Sequence, residues 1–479
     1  MIGAAAAEGA SLPGIRVWLG RLLADLNSGR SCLWLLPRRV LDDTGNRADR
    51  LLDDMLHELA DFVLLPLDEA PASASARSTA SARSPVSGRW SGLAPVADFD
   101  DGLPDLLMAR IPAPAEPEPQ TPPTAAEALA DLLERLAKEL GFAAGSDPTG
   151  DVLARLTGGG TVTGETRPVV IRAWREPVSS AAAHLLRRLV ATAKEAGLPP
   201  DRRPRALVMA STEDLPTGLP DQLAREDVAV HWWWGATGRL DTATVVALAR
   251  PLLASATERR HLHEAVTQAT ISEVCGPFLD IAAALAGRWN DGRPESLASA
   301  LHDVLADLPE PAAMPPQRAE GIRHPGRRPD ERLLTSWNAG TVDSWDGRLR
   351  RHPGYDLAYE QAVAARVWLA QNHVLLPLLD DARDQFTSTI RLRARVPLAR
   401  LAQDYGPQRE PGAAQEPADS AVGIMELGGM WSAHCDGAIT LNPAERRRLR
   451  TLREARNLLA HRVPLDGNRL QLLVDELCR

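Results

Sequence analysis

A chain of 479 residues with 44% hydrophobic and 24% charged residues has the composition of a globular protein of about two to four domains. The net charge of −9 gives no whole-chain attraction to nucleic acid or anionic membrane, and no stretch reaches the ~18 uninterrupted apolar residues that would span a bilayer. With no secretory signal at the N-terminus and no CxxC among Cys32, Cys275, Cys435 and Cys478, a reducing cytoplasm is expected, without a disulfide framework, a metal site or a cofactor.

The first apolar run, residues 31–37 (SCLWLLP), is short and ended by proline, as a buried strand would be. Residues 47–60 carry Leu51, Leu52, Met55 and Leu59 at helical spacing, and 62–65 (FVLL) is a second strand candidate. Residues 70–89 are rich in Ala, Ser and Arg, and 112–124 are Pro-rich; both read as linkers that cannot build a core. An amphipathic helix is predicted over 125–141, closed by Gly141. Strand-like runs follow at 169–171, 206–209 and 228–234, with a helix predicted from about 180 to 196. Short apolar runs alternating with helices predict a mostly parallel sheet covered on both faces. The last run ends in Trp232, Trp233 and Trp234; a stacking platform for bases is one reading, and burial in the sheet is the preferred one. From about 242 to 308 the chain reads as helices, a Pro/Arg-rich boundary spans 309–330, and the remainder is again mainly helical, with a break at 405–420. His261 and His263, even with Cys275, lack a zinc spacing. The fold class is therefore an α/β N-terminal half, residues 1–240, a helical segment at 241–320, and an all-α unit at 330–479.

The order of elements before residue 240 resembles the core of a P-loop NTPase of the AAA+ or STAND type, with 169–171 in the place of the strand that carries the acidic residues and 206–209 in the place of the sensor strand. The phosphate-binding chemistry is absent. Arg38, Arg39 and Val40 follow the first strand where a glycine loop and lysine belong. The string at 159–166 (GGTVTGET) mimics the loop, but Glu165 stands where lysine is needed and would repel phosphate. After the third strand, Arg172, Ala173 and Trp174 replace the metal-binding aspartate, leaving Glu176 as an isolated carboxylate. A degenerate scaffold that does not hydrolyse ATP is expected.

The C-terminal stretch 442–461 is more informative. Asn442 suits a helix N-cap, Pro443 the first helical position and Glu445 the reciprocal capping-box position. Leu449, Leu452, Leu459 and Val463 supply an apolar stripe, and Pro464 favours a stop. The segment Arg456-Asn457-Leu458-Leu459-Ala460-His461 fits an Arg, polar residue, then His motif, and here residues 355–479 resemble the HEPN superfamily. That resemblance implies a small helical bundle, often dimeric, which in many members is a metal-independent ribonuclease of bacterial conflict systems. It implies catalysis by Arg456 and His461, with Asn457 orienting the histidine or the phosphate. Histidine can move a proton near neutral pH, and arginine can hold a phosphate as charge develops. Arg446, Arg447, Arg448, Arg450 and Arg453 offer a local basic face for RNA despite the acidic whole. Two bland readings stand beside this: His461 meets the terminal carbonyls of its helix, and Arg456 pairs with Glu454 or Asp466 on the surface. Two functions follow, ahead of a third, nucleotide binding without hydrolysis by the sheet domain. One is an RNA-cleaving effector regulated by its N-terminal half and dimeric through its C-terminal helices. The other is a non-enzymatic scaffold that binds a partner protein.

Overall fold

A computed structural model describes residues 12–43, 46–66, 123–142, 148–157, 167–250, 257–307, 326–407 and 422–479. The linker predicted at 70–89, residues 112–122 of the second, the string at 159–166 and most of the 405–420 break lie outside these residues.

Five strands form one parallel sheet: β1 (Cys32–Leu35), β2 (Val63–Leu64), β3 (Val169–Arg172), β4 (Ala206–Ala210) and β5 (Ala229–Trp232), in the order β2-β3-β4-β1-β5. Each arises from one of the apolar runs read in the sequence. Every residue of β1 and β4 is buried. Successive strand side chains point to opposite faces, so both faces of the sheet centre are covered. The covering helices in this half are α1 (Pro13–Asn27), α2 (Arg38–Leu41), α3 (Arg47–His57), α4 (Ala125–Glu139), α5 (Pro148–Thr157), α6 (Ser179–Glu195) and α7 (Leu219–Arg225). Helix α1 buries Ile15, Trp18, Leu19, Leu22 and Leu26, a stripe at helical spacing. Helix α4 opens on a Thr124–Glu127 capping box and stops before Gly141, whose φ of +70° suits glycine. The tryptophan triplet is buried. Trp233 packs on Trp18 and Trp34 with ring centroids 4.8 and 5.8 Å away, and Trp232 packs on Trp337 at 5.7 Å. A base-stacking platform at this triplet is thereby excluded.

The chain continues through α8 (Arg239–Ala249), α9 (Glu258–Cys275), α10 (Leu279–Arg288), α11 (Pro294–Ala306) and α12 (Glu331–Asn338), then β6 (Val342–Trp345) and β7 (Arg348–Arg351). It ends with α13 (Pro353–Leu357), α14 (Glu360–Arg393), α15 (Leu398–Tyr405), α16 (Leu427–Cys435), α17 (Pro443–Ala460) and α18 (Gly467–Leu477). This half is mostly helical but not all-α. β6 and β7 pair as an antiparallel hairpin across Asp346 and Gly347, both at positive φ, the conformation that an Asp-Gly pair adopts in two-residue hairpin turns. Leu333, Trp337, Val342 and Leu349 join the core of the sheet, so residues 331–351 complete the N-terminal core although they follow the 309–330 boundary.

A second core gathers Leu375, Leu379, Phe386 and Ile390 of α14 with Met430, Leu449, Leu452, Leu459 and Leu473. A third gathers Val246, Ile271, Ile281, Leu285, Leu297 and Leu301 with Val367 of α14. Helix α14, about 50 Å long at 1.5 Å per residue, therefore reaches from one core to the other. It is the one described helix long and apolar enough, by length and composition, to cross a membrane, and its row of Leu375, Leu379, Phe386 and Ile390 is buried against protein.

Candidate nucleic-acid interface

In open parallel sheets ligands bind outside the carboxyl ends of the strands. Here the chain itself covers that edge. Arg38, just past β1, donates to Asp214 beyond β4 at 2.8 Å. Arg39 donates to the Gly340 carbonyl at 3.3 Å and lies 3.4 Å from Asp280. Asn338 at the end of α12 donates to Thr212 at 2.6 Å, and the Trp337 indole N–H reaches the Trp233 carbonyl at 3.3 Å. Gly340, at a φ of +66°, sits so close that an added Cβ would lie 2.4 Å from Arg39 Cδ. Glu176, the isolated carboxylate after β3, accepts from Arg135 at 2.5 Å. Its charge is spent inside the fold. No cluster of His, Cys, Asp or Glu suited to a metal occurs among the described residues.

Helix α17 begins as its sequence dictates. Asn442 Oδ1 accepts from the Ala444 and Glu445 backbone N–H groups, and Glu445 accepts from the Asn442 N–H, each at 2.9 Å. Although partial burial opposes it, the Asn442 N–H together with Arg393 holds the Glu445 carboxyl below its ordinary pKa. Leu449, Leu452, Ala455 and Leu459 are buried on one side. The helix ends at Ala460, before Pro464, where Arg462 turns to a φ of +60°. Helix α14 grips this end. Trp368 Nε1 donates to the Leu459 carbonyl at 2.6 Å. Gln371, fully buried, donates to the Leu465 carbonyl at 2.9 Å and accepts from the Leu465 N–H at 2.6 Å.

The two motif residues fall on different sides. Five positions of a helix with 3.6 residues per turn separate them by about 140°. Arg456 is partly buried beside the apolar stripe, and His461 is exposed at the helix C-cap, its backbone N–H bonded to the Asn457 carbonyl at 3.0 Å. One chain does not bring the pair face to face. The surface pairing considered for Arg456 is also absent: Glu454 accepts from Arg450 and Asp466 from Arg469, each at 2.8 Å.

A different grouping is assembled. Arg446, Arg450, Arg453, Asn457 and His461 fall within an arc of about 80° along some 22 Å of α17. Arg446, Arg447 and Arg450 are exposed and line a groove of about 690 Å³ with Trp431, His434, Cys435 and Pro443. The Arg453 guanidinium lies 5.3 Å from the centre of the Trp431 ring, and the His434 ring meets Trp431 edge-on at 6.0 Å. Arg448 is not part of this face; it turns toward Gln385 of α14, 3.4 Å away. Of the five arginines read from the sequence as a basic face, Arg446, Arg447 and Arg450 line the groove, Arg453 meets it through Trp431, and Arg448 lies elsewhere. Trp431, His434 and Cys435 were missed, although their i, i+3, i+4 spacing in the run WSAHC marks one side of a helix. The groove offers cations for phosphates and an indole beside them, the combination that binds single-stranded nucleic acid. No protein-family model matches the chain, and no significant match is found among the curated proteins or the solved structures.

Proposed function

We propose that the C-terminal helical unit is a HEPN-like RNA-acting module of a conflict-type system, and that an RNA strand lies along the exposed face of α17. The observation that carries this reading is the alignment of Arg446, Arg450, Arg453, Asn457 and His461 on that face, ending in the Trp431 groove. The phosphate backbone runs along the arginines, and a base stacks near Trp431. Cleavage without metal, by attack of the RNA's own 2′-hydroxyl, needs His461 to move a proton and an arginine to hold the phosphate. Because Arg456 lies on another side of its own helix, the reading requires Arg456 of a second copy at each site, in a homodimer formed through the C-terminal helices. The N-terminal half serves as an NTPase-like scaffold without hydrolysis. The interposition of β4 between β1 and β3 supports that resemblance, and the covered strand ends support the lack of hydrolysis.

The test is binding of a fluorescent single-stranded RNA across a salt series. Each phosphate contact contributes about −0.7 to the slope of log K against log salt for a single strand. Replacing Arg446, Arg450 and Arg453 by Gln should flatten the slope by about 2 and weaken binding at least tenfold. An unchanged slope refutes this placement of the RNA. A second reading, a non-enzymatic scaffold that binds a partner protein, is favoured by the separation of Arg456 from His461. It predicts no RNA cleavage and a complex lost on removing residues 330–479.

A further inference from the structure

A second concave site lies beside the edge strand β5, where α1 meets residues 326–327. It is a cavity of about 470 Å³ lined by Trp18, Arg21, Ala24 and Asp25 of α1, Val230 and His231 of β5, and Gly326 with Arg327. Its volume falls within the range of small-molecule pockets, about 300–1,000 Å³. The α1 residues recur at helical spacing, so one face of the helix forms a wall. Gly326, at a φ of +75°, forms another. Its N–H bonds to the Trp234 carbonyl at 2.6 Å, and an added Cβ would lie 3.7 Å from Arg21 Nη1.

The charges in this cavity are unbalanced. Asp25 is already matched, lying 2.9 Å from Arg30 Nη1 and 3.0 Å from His231 Nε2. Burial lowers the His231 pKa, with Asp25 opposing the shift. Arg21 and Arg327 are exposed and have no carboxylate partner among the described residues, whereas the neighbouring Arg328 is paired with Asp221. The Trp18 indole N–H is committed to the Trp232 carbonyl at 3.1 Å, so the wall it supplies is aromatic and donates nothing into the cavity. Two arginines lining one cavity suit a doubly charged tetrahedral anion. The cavity is much larger than that anion, and Ala24, Val230 and Trp18 offer apolar surface to whatever the anion is attached to.

We propose that this pocket binds a small phosphate monoester, its phosphate held by Arg21 and Arg327 and its organic part lying against Trp18 and His231. This site is independent of the RNA reading of α17.

Calorimetric titration of the full chain with ribose 5-phosphate, inorganic phosphate and ribose tests it. Ribose 5-phosphate should bind, inorganic phosphate should bind at least tenfold more weakly, and ribose should not bind. Arg21→Gln and Arg327→Gln should each weaken ribose 5-phosphate at least tenfold, while Arg446→Gln/Arg450→Gln should leave it unchanged. Both pocket positions are exposed, so circular dichroism of these variants should match the parent. No binding of ribose 5-phosphate, binding that survives in the Arg21→Gln/Arg327→Gln double variant, or equal affinity for phosphate and its ribose ester would each overturn the proposal.

Discussion

Replacing Gln371 by Leu tests how the turn bearing His461 is held. Gln371 is fully buried in α14, and its amide satisfies both backbone groups of Leu465. Leucine is nearly isosteric and keeps the contact with the surrounding core, so lost packing is small. What remains is a buried N–H and a buried C=O without partners, each worth about 1–3 kcal/mol. Allowing for partial relaxation of the turn, the loss is about 3 kcal/mol. With a urea dependence of about 1–3 kcal/mol per molar, the unfolding transition of the C-terminal unit should move down by about 1–3 M. Urea titration followed by tryptophan fluorescence and by circular dichroism measures it. Trp368, which bonds the adjacent Leu459 carbonyl, reports on the same region. A shift below about 0.2 M would refute the reasoning, because the Leu465 groups would then have found other partners at no expense.

Two further predictions concern the junction between the halves. Glu273, 1% exposed, accepts from Arg239 and from Arg350, the latter at 2.6 Å, and Arg350 is itself only 4% exposed. Glu273→Leu leaves the buried Arg350 cation unbalanced and should destabilise by about 3–5 kcal/mol, read from the denaturation midpoint; a loss under 1 kcal/mol contradicts the account. Asp343 accepts from the Gly235 and Ser344 N–H groups at 2.9 and 2.7 Å, yet burial pushes its carboxyl up to about 7. The folded chain therefore keeps a proton that the unfolded chain releases near pH 4, and this group's contribution to stability falls as pH rises from about 4 to 7. Asp343→Asn should gain in Tm relative to the parent between pH 5 and 8, whereas a pH-independent difference contradicts the assignment.

The strands were legible because each falls in a short, largely apolar run of the chain, and at β1 and β4 the run is buried on both faces. The start of α17 was legible because Asn442, Pro443 and Glu445 act within one turn. The Asp346-Gly347 turn carried an equally local hairpin signal, hidden by its arginine-rich second strand, RLRR. The cover over the strand ends was not legible. It joins Arg39 to Gly340 and Asn338 to Thr212, pairings separated by 301 and 126 positions that no local pattern encodes. That Arg456 and His461 do not face each other was legible, since a five-residue spacing on a helix turns the two side chains about 140° apart. The basic face was legible as composition. That it ends at an indole depended on α16 packing against α17, which brings Trp431 to Arg453.

The most direct test of the proposed function is cleavage of a single-stranded RNA in EDTA by the purified protein and by His461→Ala, with the oligomeric state of the same samples determined by light scattering. The account predicts cleavage by a dimeric parent and at least a hundredfold less by an equally folded, dimeric His461→Ala variant. Equal cleavage by the two proteins, or a parent that binds RNA along α17 as a dimer and leaves it intact, would contradict the catalytic reading.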